Sequence, residues 1–327
     1  MNASVSRVWV AAAVAITVTW PTVATAQATR YPMKPIRIID AFAPGGTTDM
    51  VARLLGQELT KAWGQAVIVD NRPGGSGTIG VEMVTRAAPD GYTLLVGNNS
   101  SATNVSLFRS LSYDPIKDLA PVVWVAQTPF VLAVNPSVPA RSVQEFIDLA
   151  RAKPGQLLHG SGGAGGITHL TAELFKSLAR INMLDVPYKG TGPTLAALVG
   201  GEVQATFSPL AVVLPQARAG KVRALAVGST KRVELAPELP TIAESGVPNF
   251  ESTVWQGIFA PAGTPSGIVN QLNAEINRIL QQPEMRERFL SNALVPVGGT
   301  SAALGEHLKL EIARWAKVVK EAGVKLD

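Results

Sequence analysis

Residues 35–63 constrain this chain more than any other stretch. After Pro35 comes a short, mostly β-branched run, residues 36–42, which reads as a buried parallel strand. Pro44, Gly45 and Gly46 break it, and Thr47, Thr48 and Asp49 then supply helix-capping chemistry. Met50, Val51, Leu54, Leu55, Leu59 and Trp63 recur at helical spacing, so one helix face is apolar. A strand, a glycine turn and a helix start bring free backbone N–H groups and the positive end of a helix dipole to one point. The element is either an ordinary strand-to-helix turn of an α/β protein or an anion site.

The first residues belong to targeting rather than to the fold. Arg7 is the only charge before an apolar run at residues 8–20, Pro21 breaks that run, and Ala24-Thr25-Ala26 fits a small-x-small cleavage site. The run is too short for a permanent bilayer span. The expectation is export and cleavage after Ala26, with residues 1–26 removed and the mature chain placed in the periplasm. The 327 residues contain no cysteine. Disulfides, thiolate nucleophiles and zinc–thiolate sites are therefore excluded, and so is a lipid anchor built on a cysteine after the signal. The mature chain is long enough for two domains. Its bases are scattered and form no stripe interleaved with aromatics, so a nucleic-acid partner is not expected. The whole chain has net charge +5, which favours an anionic small molecule only weakly.

Strand, loop and helix signals alternate along the rest. Residues 66–69 and 92–96 read as strands, and the second ends at Asn98, Asn99 and Ser100. Ligands of open α/β sheets collect at such carboxyl ends. Apolar runs at 122–126 and 130–135 are separated by Pro129. A second set of units follows, with strands at 156–159, 183–188, 203–207 and 224–228. Residues 229–250 read as irregular, 254–260 as a strand, and the remainder as three helices, the last over 302–322.

Gly160, Gly162 and Gly165 match a dinucleotide fingerprint between a strand and a helix, with Asp185 at the next strand. Its mid-chain place, the export signal and the lack of a hydride-transfer constellation favour a plain anion cradle. Catalytic patterns are missing. His159, His169 and His307 are not at metal-ligand spacing, and neither Ser76 nor Ser161 sits in a nucleophile-elbow frame. His169, in the first helical turn and off the apolar stripe, reads as a structural hydrogen-bonder or a pocket-lining group. No metal, no cofactor and no enzymatic activity are expected.

Motifs over essentially all of the mature chain resemble one family. They include residues 43–49 leading to Ala52-Arg53, then Asn71-Arg72-Pro73-Gly74, Pro89-Asp90-Gly91-Tyr92, and residues 165–170. Val186-Pro187-Tyr188-Lys189-Gly190, residues 239–246, and Trp255 with residues 261–265 continue the series. The chain resembles the Bug, or TctC-like, receptors, the extracytoplasmic solute receptors of tripartite tricarboxylate transporters. The resemblance implies an α/β, two-lobed periplasmic-binding-protein (flytrap) fold with two crossing hinge strands, near 122–126 and 254–260. Lobe 1 would comprise residues 27–126 plus 251–327, and lobe 2 residues 127–250, each with its own sheet.

The same resemblance implies a small carboxylate held by backbone groups and waters in the inter-lobe cleft. It places Ala43, Gly45, Gly46, Thr47, Thr48 and Asp49 on one side. Gly162, Ala164, Gly165, Thr168 and His169 lie on the other, with Asn98, Tyr188, Gln204 and Phe207 reaching the cleft. Gln204 stands where the family usually has an acid. The implied partners are the ligand and the membrane permease subunits, the receptor itself being a monomer. An NAD-type oxidoreductase using the Gly160–Gly165 loop, and a ligand-presenting partner of a membrane sensor, are the alternatives.

Overall fold

The computed structural model describes residue 1 and residues 31–324. The expected signal segment and its cleavage site fall almost wholly on residues 2–30, outside the described residues.

The first half of the fold is built from β1 (Ile36–Asp40), α1 (Thr47–Trp63), β2 (Val67–Asn71), α2 (Thr78–Thr85), β3 (Thr93–Asn98) and α3 (Ser100–Leu107). β1 lies between β2 and β3, parallel to both. Its three isoleucines point to both faces and are wholly buried, as in a parallel strand covered on either side. On one face Ile39 and Leu95 pack with Trp255, Phe259 and Leu304. Ile38 and Leu94 are equally buried.

β4 (Leu119–Val134) then runs for sixteen residues. The runs at 122–126 and 130–135 are therefore one strand, not two. Pro129 suggests a break because it has no N–H to give a ladder, but here it marks a change of partners. Leu119 to Pro129 pair antiparallel with β9 (Thr253–Pro261), and the two-residue β10 (Val295–Pro296) pairs with Gln127 and Ala126. Phe130 to Val134 pair instead with β7 (Ala205–Pro209) and β8 (Arg223–Val227).

Between β4 and β9 the chain builds a second α/β set. It comprises α4 (Val143–Ala152), β5 (Leu158–Ser161), α5 (Ile167–Ala179), β6 (Leu184–Pro187), α6 (Thr191–Gly200), β7, α7 (Leu210–Arg218) and β8. β5 lies parallel between β6 and β7. Phe146, Phe175, Phe207 and Phe250 fill one side of it, and Leu198, Val203, Leu210 and Val213 the other. The expectation of two unconnected sheets is thus corrected. The strand order β2-β1-β3-β9-β4-β7-β5-β6 is hydrogen-bonded throughout, because β4 carries it from one set into the other.

The chain closes with α8 (Ser266–Leu280), α9 (Pro283–Ser291) and α10 (Ser301–Ala322). The Thr300 side chain caps α10 by accepting from Ala303 N–H at 3.2 Å. Glu311 fixes α10 to the crossing region. Its Oε2 accepts from Trp255 Nε1 at 3.1 Å, Trp315 Nε1 at 2.9 Å and Asn99 Nδ2 at 3.2 Å. A buried carboxylate is tolerable when donors surround it in this way.

At the point where β4 changes partners, three backbone segments meet. Gly228 N–H donates to Phe130 O at 2.7 Å, and Ser252 N–H to Gly228 O at 2.8 Å. A Cβ on Gly228 would lie 2.7 Å from Ser252 O, so only glycine fits there.

Candidate functional site

Register alone brings the two glycine loops toward one region. Asn98, at the carboxyl end of β3, is level with Gln256 on β9, and Gln256 with Ala126 on β4. At the carboxyl end of β7, Pro209 is level with Phe130 on β4. β1 and β3 therefore end near Ala126, and β7 ends near Phe130, a few residues further along the same strand. β5, parallel to β7, ends on the same side, so the α1 and α5 N-termini flank this part of β4. Ile167 and Leu170 of α5 also pack onto the core cluster that holds Ala41.

The β1–α1 loop is pinned from inside. Gly45 N–H donates to Asp49 Oδ2 at 3.0 Å. The Arg53 guanidinium grips both carboxylate oxygens of Asp49, at 3.0 and 2.9 Å. Asn71, at the end of β2, donates from Nδ2 to Asp40, Phe42 O and Asp49, each at 3.1 Å. Burial raises the Asp49 carboxyl, but Arg53, Gly45 N–H and Asn71 outweigh it and hold the group below its usual range. Asp40 lacks a cation of its own, and burial above all pushes its pKa up to about 7.

The β5–α5 loop is pinned by a hydroxyl and an imidazole. Gly162 N–H donates to Thr168 Oγ1 at 2.8 Å, and Gly165 N–H to His169 Nδ1 at 3.0 Å. His169 Nε2 lies 3.5 Å from Glu173. Gly166 N–H turns back to Gly163 O at 3.1 Å.

The expectation that these glycines offer bare N–H groups is therefore corrected. Those of Gly45, Gly162 and Gly165 are taken by side chains from the helix that follows. Gly165 is required for its backbone instead, since its φ of +70° is a conformation that L side chains rarely adopt. What remains free is the first turn itself. Neither α1, with Gly46 at its N-cap, nor α5, with Gly166, has a side-chain cap. Their leading N–H groups have no partner within the helix.

Asn98 donates to Thr48 Oγ1 at 3.3 Å, and Gln256 to Thr47 Oγ1 at 3.4 Å, so both touch the α1 start. Ala43 and Ala164 lie exposed in their loops.

Tyr188 borders the glycine loop: its N–H donates to Ser161 O at 2.8 Å, while its ring packs against the α6–α7 side and its hydroxyl donates to Glu202 at 3.2 Å. Two other expected residues lie elsewhere. Gln204 accepts from Leu158 N–H at 2.9 Å, at the beginning of β5. The glycine loop leaves the other end of that strand, roughly 10 Å away. Phe207 is wholly buried between Phe175 and Phe250. The structure brings neither of these two side chains to the loops.

His159, Ser161 and Asp185 resemble a triad in content but not in order. Asp185 sits in the middle, bonded to His159 Nδ1 at 3.0 Å and to Ser161 Oγ at 2.8 Å. His159 Nε2 accepts from Phe207 N–H at 3.1 Å, and burial lowers the ring's pKa. The imidazole is neutral and pointed away from Ser161, so it cannot activate that hydroxyl. Asp185, the acid of the dinucleotide reading, is taken up in this same network.

A hollow of about 450 Å³ beside Arg218 and Arg223 is also not this site. Its Arg223 donates to Val138 O and Ala140 O at 3.0 and 2.9 Å. Among the described residues, no group of three His, Cys, Asp or Glu side chains could hold a metal ion, and no helix is long and apolar enough to cross a membrane.

The sequence motifs include Arg53 and Asn71 without giving either a role at the site, and sequence reasoning missed Gln256. The only signal for Gln256 is one amide inside the apolar run 254–260.

Two α/β lobes joined by crossing strands, with uncapped helix starts on either side, define the two-lobed class of solute-binding proteins. The tripartite tricarboxylate transporter family receptor, TctC, matches residues 51–324, and the chain belongs to that family. BugT of Bordetella pertussis is 40% identical over 307 residues, which cover 93% of this chain and 94% of BugT. The structure of R. palustris Rpa4515 with adipate superposes with a TM-score of 0.85 at 38% identity, covering 90% of this chain and 99% of that one. MatC from Rhodopseudomonas palustris with bound malate gives 0.80 at 34% identity, with 88% and 100% covered.

Proposed function

We propose that this protein is a periplasmic receptor that captures a small organic acid between its lobes and delivers it to a tripartite tricarboxylate-type permease. One observation carries the reading. Two glycine loops at strand carboxyl ends lead into helix starts without side-chain caps on either side of one strand, and Arg53, in the first of these helices, is committed to Asp49. Uncapped helix starts suit a carboxylate and give little to a cation or a neutral sugar. The adipate and malate bound to two relatives support the same ligand class.

The lobes are residues 27–126 with 251–327, and 127–250, closing on the ligand. Gly46, Thr47, Thr48, Thr168 and Asn98 line the contact, while Gly45, Asp49, Gly165 and His169 hold the loops in shape. The protein acts as a monomer, without catalysis, after cleavage behind Ala26.

A thermal-shift panel of mono-, di- and tricarboxylates, amino acids, sugars and NAD tests this. A ligand at a hundredfold excess over Kd stabilises the fold by about 2.7 kcal/mol, which is several degrees of Tm. Shifts with carboxylates and none with their amides are expected. A shift with NAD or a sugar and none with any carboxylate overturns the reading. N-terminal sequencing of the exported protein should begin at Gln27.

A further inference from the structure

His169 holds the β5–α5 loop with the one ring nitrogen that carries no hydrogen. Gly165 N–H donates to Nδ1 at 3.0 Å, so the neutral ring keeps its proton on Nε2. That nitrogen faces Glu173 Oε1 at 3.5 Å, and Lys176 Nζ reaches the same oxygen at 2.7 Å. Burial raises the Glu173 carboxyl, but His169 and Lys176 outweigh it and hold the group below its usual range. From the neighbouring elements the ring feels Asp185 of β6, which is bonded to His159 of β5. On α10, Glu321 shares a groove with Glu173 and Lys176 and lies 3.9 Å from Lys317. The His169 side chain keeps 14% of its surface exposed, so protons reach it from water.

An imidazole is the side chain that changes charge between about pH 5 and 8. Here a second proton can go only onto Nδ1, where it would meet the Gly165 N–H head-on. Two donors cannot share one bond, so the charged ring must let Gly165 go. We propose that His169 is a proton-operated latch on this loop: a proton on Nδ1 unfastens Gly165 and loosens the wall on which the carboxylate rests. The effect on the ligand rests on the carboxylate reading above, whereas the unfastening does not. Protonation has two opposed consequences. The added charge would attract a carboxylate, but Glu173, on the Nε2 side, is close enough to offset it. Loss of the loop bond has no such compensation, because Gly165 then loses what fixes its φ of +70°. A wall that is no longer pre-organised binds more weakly, so affinity falls as the medium is acidified.

Nuclear magnetic resonance of the ligand-free mature protein between pH 8 and pH 5 tests the latch. The His169 ring should titrate, with Nδ1 unprotonated at pH 8, and the Gly165 amide should shift with the same midpoint. A ring that stays neutral down to pH 5, or a Gly165 amide that stands still while the ring titrates, overturns the proposal. This arm needs neither a ligand nor a variant. His169→Asn separates a latch from plain support, because Asn Oδ1 can accept from Gly165 in the place of Nδ1 but takes no proton. Calorimetric titration with adipate, malate and citrate at pH 5 and pH 8 gives a ratio of Kd values for each protein. For a probe that binds, the ratio should be larger in the unaltered protein by about fivefold, the value of one net hydrogen bond. Titration of Asp40 and of the probe itself acts in both proteins and cancels in that comparison. Equal ratios, or a larger ratio in the variant, overturn the proposal. If none of the three acids binds, it is the carboxylate reading that fails, and the resonance arm still decides the latch.

Discussion

In the β1–α1 loop the Gly45 N–H ends on a carboxylate, and in the β5–α5 loop the Gly165 N–H ends on an imidazole. The plan is otherwise the same. A glycine at positive φ precedes the helix, and a side chain four residues on reaches back to hold it. Pinning the loop in this way leaves the helix start uncapped. A capping Ser or Asp would satisfy the same turn but fill the place a ligand needs. The difference lies in the groups used. Asp49, Arg53 and Asp40 form an ionic cluster under the first loop, whereas the second rests on the Thr168 hydroxyl and the His169 imidazole, whose Nε2 lies 3.5 Å from Glu173.

The largest expected effect is the titration of Asp40. Folding raises its pKa from the ordinary 3.8 to about 7. The unfolded chain gives up this proton near pH 4 and the folded chain only near 7, so stability is lost as pH rises through that window and is level above it. The loss should be roughly 3 kcal/mol, at 1.36 kcal/mol per pKa unit with allowance for relaxation. Asp40→Asn should flatten this dependence in denaturant melts at pH 5 and 8, whatever constant offset the amide brings. An unchanged slope would remove the charge contrast between the loops.

Next in size is Asp49→Ala, which frees Gly45, Arg53 and Asn71 together. A stability loss of about 2–3 kcal/mol is expected, with most carboxylate affinity gone. Gly45→Ala and Gly165→Ala are where the contrast should disappear. Each forces a Cβ into positive φ, at +90° and +70°, and each should lower stability by about 1–2 kcal/mol. The smallest change is Thr168→Val, which takes one neutral hydrogen bond from Gly162 at about 1 kcal/mol. Denaturant melts check this, and a loss above about 2 kcal/mol would mean that Thr168 holds more of the loop than this one bond.

Local chemistry made much of the fold legible. The strand at 36–42, the helix after Gly46 and the terminal helix over 302–322 follow from periodicity and glycine placement, and they appear as β1, α1 and α10. α3 has no clean period, because Ser101, Ala102, Thr103 and Asn104 are all buried among neighbours the local sequence does not name. β4 was cut in two because Pro129 looks like a stop until the change of ladder partner is known. At the site, the glycines were visible but their use was not. Whether a loop N–H is bare depends on side chains returning from the next turn, and the carboxylates under the first loop are held by Asn71, from a strand end 31 residues from its partner Asp40. Gln256 meets Thr47 across 209 residues, a separation that no spacing rule covers.

β4 has one consequence for how the receptor moves. It is hydrogen-bonded into both halves of the fold, with register shifts at Pro121–Val123, Trp124–Ala126 and Leu132–Ala133. A change of angle between the halves would have to twist this ladder, with the clasp of Phe130, Gly228 and Ser252 at the place where its partners change. The amides of that clasp should exchange with solvent more slowly than those of either glycine loop, with or without a bound acid.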